Sequence, residues 1–349
     1  MTAAKVGQIL EEFQVDISDI SFQTITDGYI NDTFLILENE QPKFILQKLN
    51  TKVFSNFEIL QSNIDQALTK LKSSDYCELE FLTTKNGSTL AIFQNEVWRL
   101  MKYIANSIAY NTTTNSEVAY EAGRIIGVFH RLLQEVNVEK YDDVISNFHH
   151  LPTRIEQYES VFRSAEEKYK LKAKSQIEFI FNHSNKFEDF YKENLPLRIC
   201  HNDTKLNNIL FDPSNKALCL IDLDTIMKGY FHYDFGDAIR TIVNSAAEDT
   251  KNVNDVNFDR TLFSSFIQGL KNSNFKLTKK EIEYLPLSVA LMPFLHGLRA
   301  LSDYLSGSHY YKINYDDQNL DRCKALFQFT SLAFEEFDFI KQSVRDHLN

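Results

Sequence analysis

His201-Asn202-Asp203-Thr204-Lys205-Leu206-Asn207-Asn208 runs directly into Ile209-Leu210-Phe211, a turn at Asp212-Pro213-Ser214-Asn215, and a second apolar run over 218–223. Two β-rich runs around a Pro-Ser-Asn turn read as a short hairpin. The polar loop sits at its entrance, and Asp222 and Asp224 sit near its exit. Around this island the pattern is helical. Glu117 to Gln134 carries Val118, Ala122, Ile125, Ile126, Phe129, Leu132 and Leu133 on one face, a period of 3.6. The regions 154–169, 175–192, 258–271, 279–305 and 318–346 also favour helix. Thr153-Arg154-Ile155-Glu156 and Thr278-Lys279-Lys280-Glu281 have the capping-box pattern at two of the starts.

The first hundred residues differ. Runs 20–26 and 33–38 flank Asp27-Gly28-Tyr29-Ile30-Asn31-Asp32 as a hairpin, and 43–49 reads as a further strand. Ser55-Asn56-Phe57-Glu58 opens a helix whose apolar stripe is Phe57, Leu60, Ile64, Leu68 and Leu71. Strands are expected around 78–83 and 89–93, joined at Asn86-Gly87, and over 97–104. A small mixed part is thus followed by a large helical part carrying one hairpin, with the change of character after Ile104.

The loop and hairpin meet the needs of phosphoryl transfer. That chemistry takes one carboxylate to accept the proton of an attacking hydroxyl. It takes an amide oxygen and a second carboxylate to hold Mg²⁺ against phosphates. Asp203 is the candidate base, and Asn208 and Asp222 are the candidate metal ligands. Asp224 falls on the same side of an extended strand as Asp222, as a second metal ligand or a backbone orienter. His201 reads as a structural residue bonding backbone, because an aspartate base needs no second one. The bland alternative is a loop whose polar groups only cap helices and turns. Asp234-Phe235-Gly236 lies too far beyond Asn208 to bind the metal; Asp234 and Asp237 are expected to brace the loop through its backbone amides.

Composition narrows the class. The 349 residues suffice for two sizeable cores. A net charge of −11 argues against nucleic-acid binding, which depends on basic side chains. The four cysteines are scattered with no CxxC pair, against a zinc or disulfide framework. With 10 glycines and 6 prolines, long flexible linkers are not expected. No uncharged apolar run reaches the length of a membrane span, and the start lacks a signal-peptide core. The expectation is a cytoplasmic protein without nucleic-acid or membrane partners, a monomer or weak homo-oligomer.

The segments HNDTKLNNILFD, LIDLDT and YDFGDAIRT resemble the aminoglycoside phosphotransferase and choline kinase superfamily. Within it the likeness is greatest to bacterial N-acetylhexosamine 1-kinases. It extends through GYINDTF (28–34), FILQKLNTKVF (44–54), YEAGRIIGVFHRLL (120–133), AAEDT (246–250) and GLRALSDYLSG (297–307). The resemblance implies an α+β, protein-kinase-like two-lobe fold. Residues 1–104 would form the nucleotide-covering β-sheet lobe with one helix, and 105–349 the mostly helical catalytic and acceptor lobe. It implies ATP and Mg²⁺ as cofactors, a sugar as the small-molecule partner, and the anomeric 1-hydroxyl of an N-acetylhexosamine as acceptor. Carried over by motif, Asp203 is the base, and Asn208 and Asp222 hold the metal.

The GxGxxG of protein kinases is absent, so a phosphate cradle would use Gly28 with the side chains of Asn31, Asp32 and Thr33. Lys48 is the phosphate lysine, with Lys43 the alternative and Glu58 its helix partner. A hinge near 102–105, at Tyr103 and Ile104, would present backbone groups to adenine. Arg299 is implicated as a sugar contact, or else pairs with Asp303 on its own helix; Tyr29 stands where these kinases carry histidine. Tyr310 and Tyr311 either stack on a sugar face or pack in the core. Kinases of choline, homoserine or aminoglycosides, and a pseudokinase, are the competing readings.

Overall fold

The computed structural model describes residues 1–15, 19–25 and 30–348. They form two compact units, Met1–Ser107 and Ile108–Asn349.

The first unit is built on an antiparallel sheet of β1 (Ile20–Ile25), β2 (Asp32–Glu38), β3 (Gln41–Lys48), β4 (Ala91–Phe93) and β5 (Glu96–Lys102), in the order β1-β2-β3-β5-β4. Asn39-Glu40 and Gln94-Asn95 all have positive φ, the geometry that matches a two-residue turn to strand twist. Helix α1 (Ala3–Glu12) starts at Thr2, whose hydroxyl accepts from Lys5 N at 3.2 Å. Its Val6, Ile9 and Leu10, with Phe13 beyond, pack on Phe34, Ile36, Phe44, Leu46, Trp98 and Leu100. This helix adds to the one expected in the unit, α2 (Phe57–Leu68), which buries Leu60, Ile64 and Ala67. The α2 cap is Asn56, whose Oδ1 accepts from Ile59 N at 3.4 Å, and not Ser55. The expected strand at 78–83 forms only one bridge, Phe81 to Met101.

The second unit is helical. It comprises α3 (Ser116–Leu133), α4 (Leu151–Ser164), α5 (Glu167–Lys172), α6 (Lys174–His183), α7 (Glu188–Lys192), α8 (Phe231–Ile242), α9 (Arg260–Asn272), α10 (Lys279–Leu305), α11 (Gln318–Glu335) and α12 (Phe337–Leu348). Among them lie β6 (Ile108–Ala109), β7 (Arg198–Cys200), β8 (Ile209–Phe211), β9 (Ala217–Leu220) and β10 (Met227–Gly229). β7 pairs with β10, and β6, β8 and β9 make a second small sheet. Helix α10 is the spine, packed against α8, α11, α4 and α12. By length and composition α10 could cross a membrane, but 78% of its apolar window is buried in the unit. Its capping box at Thr278 and Glu281 is present in full. The pattern at Thr153 is not used: the helix starts earlier, capped by the His150 ring. Gly123 of α3 and Gly269 of α9 let two helix backbones touch. A Cβ on either would overlap a carbonyl oxygen of the facing helix, that of Phe266 or of Tyr120.

Candidate active site

In the second unit, the loop 201–208 leaves β7 and enters β8, and α8 holds it from behind. Asp234, in the first turn of α8, accepts from His201 N at 2.8 Å and from Asn202 N at 2.7 Å. Its Oδ2 also meets His130 Nε2 at 2.9 Å. Thr204 Oγ1 donates to the Asp234 carbonyl at 2.6 Å, and Thr225 Oγ1 to that of His201 at 2.7 Å. Asn202 has φ of 62°, a strained state for a residue with a Cβ. Its Nδ2 donates to the Thr225 and Cys200 carbonyls, and the Asn202 carbonyl accepts from His149 Nε2 at 2.9 Å. Asp234 is thus the loop brace. His201 is structural as read, with Nε2 donating to Ile221 O and Nδ1 accepting from Asp203 N. Asp237 is not a brace of the backbone, which corrects the reading of its role. It accepts from Arg240 Nε at 2.7 Å and lies 3.1 Å from His296 Nε2. Arg240 continues to Glu248, and Glu248 to Arg322.

Asp203 is partly exposed, and its contacts fall on one oxygen. Lys205 Nζ and Asn208 Nδ2 each lie 2.9 Å from Oδ2. Among the described residues none bonds Oδ1. Burial opposes the Lys205 charge, but the fields of Asp203 and Asp222 outweigh it and raise its pKa. Asn208 Nδ2 donates also to the Asp203 carbonyl at 2.8 Å. Its amide is thereby oriented, and its oxygen is left as an acceptor.

Asp222 does not end a strand. β9 stops at Leu220, Asp222 has φ 60° and ψ 56°, and Leu223–Thr225 is a 3-10 turn. The expectation that alternation puts Asp222 and Asp224 on one side therefore loses its basis. Asp224 is buried in that turn. Ile221 N donates to Asn208 O at 2.8 Å, which sets the Asp222 backbone beside the loop.

Arg299 lies on α10, over the ring of Phe148 at 4.7 Å. The alternative pairing with Asp303 is not formed. Asp303 accepts instead from the backbone N–H groups of His309, Tyr310 and Tyr311 and from Asn319 Nδ2, all at 2.8–3.0 Å. Arg299, Arg154, Phe148, Asp303, Tyr310 and Tyr311 line a cavity of about 290 Å³. Tyr310 is 44% exposed and Tyr311 lies under the Arg322 guanidinium at 4.9 Å.

In the first unit, Lys48 pairs across the strands with Asp32 at 2.9 Å and with Glu96 at 3.5 Å. The Asp32 hydrogen bond is the main reason its pKa is raised. Its partner is therefore not Glu58. Lys43 instead meets Glu38 in an exposed pair. Asn31 Oδ1 accepts from Asn50 N at 2.9 Å, and Thr33 Oγ1 accepts from Gln47 Nε2 at 3.2 Å. Tyr103 N donates to Lys43 O, and Ser107 Oγ to Ile104 O. Gly28 and Tyr29 lie outside the described residues.

Sequence reasoning passed over Lys205, although it stands inside the quoted loop. Its signal was a lysine two residues after an aspartate in a loop otherwise bare of cations. It also passed over Arg154 and His149. These reach the site through packing of α4 and the preceding segment, which no local pattern announces.

Residues 21–259 match the family model described as the phosphotransferase enzyme family. This chain is a member of that family. The phosphotransferase also shares its fold with solved kinase structures. A microcompartment-associated aminopropanol kinase aligns over 100% of this chain and 99% of its own, with TM-score 0.64 and 16% identity. Spectinomycin phosphotransferase, solved with ADP and spectinomycin, covers 96% and 98%, with TM-score 0.61 and 14% identity. Amicoumacin kinase, solved with AMP-PNP and Ca²⁺, covers 96% of each chain, with TM-score 0.58 and 11% identity. The kinase-like fold of the phosphotransferase is thus the one read from its sequence. The donor set suits a hard divalent cation: the freed Asn208 amide oxygen and the Asp222 carboxylate are oxygen ligands of the kind Mg²⁺ takes.

Proposed function

We propose that this phosphotransferase moves the γ-phosphate of ATP to the anomeric 1-hydroxyl of an N-acetylhexosamine. The observation that carries the kinase reading is Asp203, held on Oδ2 by Lys205 and Asn208 with Oδ1 left over. Oδ1 takes the hydroxyl proton as that oxygen bonds to the γ-phosphorus and the bond from phosphorus to the ADP oxygen breaks. One direct displacement inverts the configuration at phosphorus. Asn208 and Asp222, with Asp224 as a second carboxylate ligand, would hold Mg²⁺, which would supply charge neutralisation for the phosphates. Lys205 and Asn208 hold Oδ2, which fixes the carboxylate with Oδ1 turned to the acceptor. Lys48, kept charged by Asp32, is the phosphate lysine of the first unit. Gly28, Asn31, Asp32, Thr33, Tyr103 and Ile104 complete the nucleotide set, and Tyr29 and Arg299 the acceptor set. The protein works in the cytoplasm as a monomer or weak homo-oligomer.

A cavity with two arginines suits a sugar better than the cationic acceptors choline or an aminoglycoside. The second reading, an amino-alcohol kinase, is favoured by the full-length likeness to the aminopropanol kinase.

ATP consumption with hexoses, N-acetylhexosamines, choline, homoserine and 1-amino-2-propanol separates the readings. Phosphorus NMR of the product then distinguishes a 1-phosphate from a 6-phosphate. Turnover restricted to the amines would reject the sugar assignment, and no turnover with any acceptor would point to a pseudokinase.

A further inference from the structure

Arg154 and Arg299 share one cavity wall, yet neither has a carboxylate within salt-bridge distance among the described residues. This sets them apart from the other sheltered arginines nearby. Arg124 pairs with Glu121, Arg198 with Glu281, and Arg240 with Asp237 and Glu248. The carboxylate that does line the cavity, Asp303, has both oxygens taken by N–H donors. Arg154 is oriented by Phe148 O, which accepts from Nε and Nη2, and by Gln157 Oε1, which accepts from Nη1. A guanidinium has five N–H groups, so two remain. Arg299 stacks over the Phe148 ring at 4.7 Å and hydrogen-bonds the Tyr310 side chain; with five N–H groups it keeps donors for a ligand. Phe148 is followed by His149, the residue bonded to Asn202 next to Asp203. The field of Asp203 is also felt at Arg299. The cavity therefore adjoins the reacting carboxylate.

We infer that the acceptor is an anionic sugar, an N-acetylhexosamine bearing a carboxylate or a phosphate that docks between Arg154 and Arg299. The inference rests on the sugar-kinase reading and narrows it. A neutral sugar would leave two like charges facing each other in a confined space. Burial, and then repulsion from Arg299, already push Arg154 down to about 10, and an anion between them relieves both costs. Planar guanidinium donors match the paired oxygens of a carboxylate or phosphate.

The test uses the full chain with Mg-ATP and four acceptors: N-acetylglucosamine, its 3-O-lactyl ether, its 6-phosphate, and choline. At least one anionic sugar is expected to exceed the neutral parent by about tenfold or more in kcat/KM, the factor of one charge-assisted hydrogen bond, mainly through KM. The lactyl and phosphate arms tell which anion is read. Arg154→Gln and, separately, Arg299→Gln should each cut that ratio about tenfold. The wild-type ranking stands even if a variant folds poorly. Neutral N-acetylglucosamine equal to or better than both anionic sugars would overturn the inference while leaving the sugar-kinase reading intact. So would a preference that survives both variants. Turnover of choline with no sugar turned over would overturn both.

Discussion

Asp203 offers two oxygens with different tasks. Oδ2 is held by Lys205 and Asn208, and Oδ1 faces no described donor. Replacing the carboxylate with an amide keeps the shape and an acceptor for Lys205 but removes the proton acceptor. Asp203→Asn should therefore lower kcat about 10²–10⁴-fold, the usual contribution of a positioned base. ATP affinity should be nearly unchanged. Steady-state kinetics with the acceptor, beside calorimetric titration of Mg-ATP, checks this; near-normal turnover would remove Asp203 from the base role. The candidate was visible in the sequence because Asp203 and Asn208, a carboxylate and an amide five residues apart, stand in one polar loop before a hairpin. Asp224 was misread in its setting, because alternation holds only on extended backbone and the chain turns at Asp222 with φ of 60°. Arg154 had no local signal: its place depends on α4 meeting α10.

Helix packing in the second unit depends on contacts without side chains. On α9, a methyl at Gly269 would run into the Tyr120 carbonyl of α3, which is backbone and cannot rotate away. Gly269→Ala should destabilise the protein by about 1–3 kcal/mol, as overpacking does. Gly7→Ala in α1, where nothing lies within 4 Å, should stabilise it by about 0.5–1 kcal/mol through helix propensity. Urea unfolding of the two variants checks the contrast, and equal effects would contradict it. Amphipathic helices such as α3 and α9 were legible from their periodicity, and α10 from its capping box and long apolar run. Helix α8 was not: nearly every one of its residues is buried, including His232, Asp234, Asp237 and Arg240. Its apolar residues Phe231, Phe235, Ala238, Ile239 and Ile242 do recur at a helical period, but the polar face opposite them is buried against the loop instead of facing water. The capping patterns at Ser55 and Thr153 misled for a related reason. A neighbouring side chain, Asn56 or His150, caps the helix instead.

At the scale of the molecule, acid sensitivity follows from buried neutral histidines. Burial pushes His232 down to about 4 and His149 well below its ordinary value, the latter helped by His296 and Arg299. In the unfolded chain both return to about 6.5. Between about pH 6.5 and 4 the unfolded chain therefore binds more protons than the folded one, and stability falls as pH falls. Above about 6.5 the contribution is complete. Each histidine gives a slope of at most about 1.4 kcal/mol per pH unit. Urea midpoints from pH 7.5 to 5 should decline, and His232→Gln should flatten the decline. An unchanged slope in that variant would reject the assignment. The change of character between the first hundred residues and the rest was visible in strand and helix periods. The five-strand order was not, because β5 joins the sheet between β3 and β4 through pairings set by the whole core. The Asp234 carboxylate, bonded to the backbone of His201 and Asn202, adds a consequence in terms of heat and entropy. The 201–208 loop is ordered when α8 forms, so a ligand arriving there would meet no disorder to remove. Heating is expected to abolish turnover no later than it melts the helices of the second unit.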